Sequence, residues 1–141
     1  MNVEAWYDQD AEDPTFVTTA AELDAVLDAV AALDGPTLVQ LYPADDPDGP
    51  ELSAGLHEDR GVLRYAGHDV PAGSYSRNTG NRFPIPQWGA VRYYHMTADN
   101  DFPDDAEIPA ADVRKAAHEF MTSGARPTAV GWTDEQAPPT S

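Results

Sequence analysis

The sequence predicts an α+β fold: a single domain with an antiparallel sheet of five or six strands and two amphipathic helices packed on one face. Three observations lead there. Two segments carry apolar residues at helical spacing, several short apolar runs are joined largely by hairpin-type turns, and no strand opens into a Gly-rich phosphate loop. At 141 residues the chain is long enough to bury a core of its own.

In chain order, "VEAWY" at residues 3–7 alternates as a first strand, and "TFVT" follows it after Pro14. The clearest element is "TAAELDAVLDAVAALDGP". Leu23, Val26, Leu27, Val30 and Leu33 recur at helical spacing, Thr19 and Glu22 form a capping box, and Gly35-Pro36 is the expected stop. "TLVQLY" is a buried strand, and "ELSAGLH" and "GVLRYAG" form a hairpin across the turn "EDR". Residues 68–90 hold three glycines, three prolines and two arginines without sustained periodicity, and predict a long constrained loop. "VRYYHMT" resumes as a strand, with Tyr93 and His95 on one face. "AADVRKAAHEFMTSG" is the second helix, apolar at Val113, Ala116, Ala117, Phe120 and Met121 and closed by Gly124. A last strand turns Val130 and Trp132 to one side. The domain is expected to span 1–132, with a Pro-rich mobile tail over 133–141.

The formal charge is −17, unevenly distributed. Residues 1–59 hold fifteen carboxylates and no Lys or Arg, whereas residues 60–98 hold five Arg against Asp69 alone. Such a field repels nucleic acid and anionic membrane and speeds encounter with basic proteins. Solubility or adaptation to high salt accounts for the same charge without a partner. No signal peptide or spanning segment is evident, so a cytoplasmic location is expected. The absence of cysteine excludes thiol nucleophiles, disulfides and cysteine-ligated metals.

Candidate sites are few. "DNDFPDDAEIP" at 99–109 packs five carboxylates, but a calcium loop begun at Asp99 meets Pro103, Asp104 and Ala110 where other residue types belong, so no metal is expected. His57, His68, His95 and His118 form no zinc pair, and no serine sits in a nucleophile elbow. No catalytic set and no cofactor is expected. Tyr75, Arg77, Asn78 and Trp88 are the residue types that protein–protein hot spots use, here on the long segment; the alternative is a loop that merely covers one end of the sheet.

The series "GVLRY", then the acidic lead into "IP", then "HEFMTSG", "RPT" and a strand ending at Trp132 resembles the first of the numbered immunity protein families of bacterial polymorphic toxin systems, common in actinomycetes. The resemblance covers most of the chain up to about Trp132. It implies a small, non-enzymatic binder that neutralises a cognate toxin, often a nucleic-acid deaminase, and it implies that Gly61, Leu63, Arg64, Tyr65, Glu119, Phe120, Gly124, Arg126, Pro127 and Trp132 serve the fold. Asp99, Asp101, Asp104, Asp105 and Glu107, with Asp45, Asp46 and Asp48, then become candidate surfaces for a basic partner that has a substrate groove to block. Phe102 is either an anchor or a residue tucking the segment down. Two other readings stand beside this one: a small enzyme using His68, Asp69 or His95 within 68–98, and a general acidic mimic of nucleic acid.

Overall fold

The computed structural model describes residues 3–6, 15–32, 37–44, 49–57, 59–67, 70–77, 90–95, 98–103, 106–128 and 130–134. They form, in order, β1 (Val3–Trp6), β2 (Thr15–Val17), α1 (Ala20–Ala31), β3 (Thr37–Pro43), β4 (Glu51–His57), β5 (Arg60–Gly67), β6 (Val70–Arg77), β7 (Ala90–His95), β8 (Ala98–Pro103), β9 (Ile108–Pro109), α2 (Ala110–Ser123) and β10 (Gly131–Asp134). The fold is α+β with a mostly antiparallel sheet, and the strands outnumber the five or six expected. Seven of them run β10-β6-β5-β4-β3-β1-β2; β9 adds to β5, and the β7–β8 hairpin joins β3 by one parallel pair, Thr37 with Tyr94.

α1 begins as its capping box demands. The Glu22 carboxylate accepts from the backbone N–H and hydroxyl of both Thr18 and Thr19, while Thr19 Oγ1 accepts from Glu22 N at 3.1 Å. These bonds favour the ionised carboxyl and lower its pKa. Leu23, Val26, Leu27 and Val30 face the sheet; the helix ends at Ala31, so Leu33 and the Gly35-Pro36 stop lie outside the described residues. α2 has no side-chain cap, and its first N–H instead donates to the Asp59 carbonyl in the β4–β5 turn at 2.9 Å. Its buried face is Val113, Ala116, Ala117, Phe120 and Met121, and Gly124 closes it in the left-handed region at φ 65°.

Both helices pack on one face of the sheet, against Val39, Leu41, Leu52, Ala54, Leu56, Leu63 and Tyr65. The opposite face carries a smaller core in which Tyr93 and Phe102 of the β7–β8 hairpin cover Leu38 and Val62. Gly55 makes room for this layer, because a Cβ there would sit 2.6 Å from the Tyr93 ring.

Four expectations change. The segment 68–90 is not loop throughout: residues 70–77 are β6, held between β5 and β10. Its alternation is hidden by Pro71, by Gly73 at φ 94° and by a register shift between Tyr65 and Gly67. The acidic stretch likewise begins as strand, since residues 98–103 pair along the whole of β7. Arg60, expected in the turn, already belongs to β5 and pairs with His57. At the far end β10 runs to Asp134, two residues past the expected domain limit, and residues 135–141 lie outside the described set.

Candidate partner-binding face

Antiparallel register decides which side chains share a face, because directly opposed residues point the same way. On the side away from the helices, Trp6, Gln40, Ser53, Arg64 and Tyr75 lie in one row across β1, β3, β4, β5 and β6. Two residues along, Phe16, Glu4 and Tyr42 form a second row across β2, β1 and β3, and Glu51 of β4 stands beside Tyr42. The rows meet through polar contacts. The Tyr42 hydroxyl donates to Gln40 Oε1 at 2.7 Å, and partial burial, reinforced by the neighbouring Glu51 charge, raises its pKa well above the phenolic range. Arg64 lies 3.7 Å from Glu51 and 5.8 Å from the centre of the Tyr75 ring. Most of these side chains are half-buried; Phe16 is 59% exposed.

The expected partner residues fall into four groups. Tyr75 is on β6 rather than on a loop, half-buried and edge-to-face with Phe102 at 5.4 Å; Arg77, at the end of the same strand, is exposed. Phe102 is 3% exposed and also meets Tyr93 at 5.9 Å, so it tucks the segment down. Glu107 is similarly engaged: it accepts from the buried Tyr93 hydroxyl at 3.0 Å and lies 3.9 Å from Arg60. Asp99 and Asp101 are on β8, in register with Tyr94 and Arg92. Asp45, Asp46, Asp48, Asn78, Trp88, Asp104 and Asp105 lie outside the described residues. The sequence reading missed Glu4, Trp6, Phe16, Tyr42 and Glu51. The signal was present, since alternation in "VEAW" and "TFV" sends Glu4, Trp6 and Phe16 away from the buried Val3, Ala5 and Val17.

The other candidates belong to different surroundings. His118 Nε2 lies 2.7 Å from Asp24 and Arg114 2.8 Å from Asp28, tying α2 to α1. Among the described residues searched, no group of three metal-binding side chains comes together. No described helix is long and apolar enough to cross a membrane.

The motif residues hold the fold. Glu119 accepts from the backbone N–H and the hydroxyl of Thr128 at 2.6 and 2.9 Å, the Trp132 indole donates to the Pro127 carbonyl at 2.7 Å, and Arg126 donates to Ser74 Oγ at 3.1 Å while lying over Trp132. Tyr65 stands between Phe120 and Trp132, edge-on to each at 6.3 and 6.5 Å. Gly61 is required where β5 passes Gly55 and α2: a Cβ there would fall 2.0 Å from the Gly55 carbonyl oxygen. A chain whose Gly61, Leu63 and Tyr65, with the "EF", "G" and "RPT" residues, lock α2 and β10 to one sheet face, leaving a mixed aromatic and charged surface on the other, is a small α+β domain built around its scaffold motifs. The model of the family described as Immunity protein Imm1 matches residues 11–134, and the chain belongs to that family: it is an immunity protein of toxin systems. A search of the curated proteins gave no match.

Proposed function

We propose that this protein is the non-catalytic, cytoplasmic antidote to a toxin that acts on nucleic acid, a deaminase being the favoured class, and that it works by covering the toxin's basic substrate groove. The observation that carries this reading is how the sheet order converts a sequence asymmetry into a spatial one. β4, β3, β1 and β2 are consecutive neighbours with α1 over them, and all derive from residues 1–59, which contain fifteen carboxylates and no Lys or Arg. Arg60, Arg64 and Arg77 belong to β5 and β6, on the other side of β4. That end of the sheet is therefore built from a stretch whose own sequence supplies no Lys or Arg, and cations it meets among the described residues, Arg64 beside Glu51 and Arg114 beside Asp28, reach in from β5 and α2. An enzyme that binds a polyanion displays cations along its groove, and a surface of opposite sign competes for them.

The test is to immobilise the protein, pass over it a lysate of the source organism, wash at low and then high salt, and identify what remains. One basic domain retained through high salt, whose deamination of a single-stranded oligonucleotide is abolished by equimolar protein, supports the reading. Retention of many basic proteins at low salt only would make it a general charge mimic instead.

A further inference from the structure

Within the immunity reading, on which this step rests, we infer that Phe16 is the anchor of the toxin contact, entering an apolar socket rimmed by Lys or Arg on the toxin. A single exposed hydrophobic residue is ordinary on a protein surface. Three features set this one apart. Phe16 is the exposed large hydrophobic side chain among the described residues, at 59%. Its backbone is held on the side that follows: Val17 beside it is fully buried, and the next two residues, Thr18 and Thr19, are fastened to Glu22 by four hydrogen bonds of 2.6 to 3.3 Å. Docking an anchor whose backbone is already held forfeits less conformational entropy than docking one on a free loop. Its setting is also selective, because Glu4 stands directly opposite and Tyr42 directly beyond Glu4.

Those neighbours determine the occupant. Residues 1–59, which supply the strands of this end, contain fifteen carboxylates and no Lys or Arg, and Glu4 lies directly opposite Phe16, so a cationic rim is favoured there. A second copy of the chain does not fit, since each carries −17 and would present the same acidic surface. An aromatic anchor inside a charged ring is the usual anatomy of a tight interface, with the ring excluding water and the anchor supplying the affinity.

The probe is the toxin domain that the wild-type chain retains in the capture experiment, and the measurement is its dissociation rate and affinity at two salt concentrations. Phe16→Ala should weaken binding by roughly thirtyfold or more, mainly through faster dissociation, with an unchanged melting temperature. Phe16→Thr, β-branched and suited to a strand, serves if the Ala variant fails to fold. Lys115→Ala, exposed on α2 and so on the other side of the molecule, should bind normally. Affinity within about threefold of wild type for both Phe16 variants overturns this inference and leaves the immunity reading intact. So does an equal loss in Lys115→Ala, or a wild-type dimer that Phe16→Ala dissociates. A wild-type chain that retains no toxin overturns both readings.

Discussion

Gly61 marks the tightest glycine position among the described residues, with the space for its missing side chain already filled by the Gly55 carbonyl and the Val113 methyl. Gly61→Ala should destabilise the protein by about 3 kcal/mol, the upper part of the usual range for overpacking, read as a lower urea midpoint at unchanged slope. Tyr93 tests the opposite kind of buried residue, one that is polar and satisfied. Burial first, and then the Glu107 charge, raise its pKa far above the ordinary 10.0. A folded-state value above the unfolded one means that the contribution is complete below pH 10 and is lost as pH rises beyond it, because the unfolded phenol ionises first. Tyr93→Phe should therefore lose stability less steeply than wild type above pH 10, after a cost of about 1 kcal/mol at neutral pH for the missing hydrogen bond. Thermal melts between pH 8 and about 11 measure both effects.

Among the elements, the β7–β8 hairpin shows best what local sequence conceals. "ADNDFP" is rich in residues that disfavour strands, yet it pairs along its whole length with β7, because Phe102 and Tyr93 gain a hydrophobic face on Leu38 and Val62. Phe102→Ala should cost about 3–5 kcal/mol of stability, and the fraction that folds should keep its affinity for toxin; loss of affinity with little loss of stability would return Phe102 to the interface. Both helices were legible because periodicity and end signals agreed: Thr19 and Glu22 at one start, Gly124 at the other's end. β6 was not, since Pro71 and Gly73 break its alternation and its place is set by partners on β5 and β10 that are distant in sequence. The candidate face was only half legible, for a related reason. Alternation tells which side Phe16 takes, but whether another element covers that side is a property of the assembled sheet.

For the molecule as a whole, the separation of acidic and Arg-bearing halves makes the rate of encounter the sensitive quantity. Asp45→Lys with Asp46→Lys, in the connection between β3 and β4, should slow association with a basic toxin roughly tenfold at low salt and much less at high salt, with little change in dissociation. Stopped-flow association across a salt series measures it, and an effect independent of salt would mean that these carboxylates make direct contacts instead of steering.

The order of the strands also fixes where the protein can be handled. β10 and β2 are opposite ends of a seven-strand path, six inter-strand steps or about 29 Å apart at the usual spacing. A fluorophore or surface tether placed on β10 itself thus sits at the margin remote from Phe16, whereas one placed on β1 sits one strand away from it. Single-molecule or immobilised formats built on the β10 side keep the β2 margin clear, and the same formats reversed would screen it.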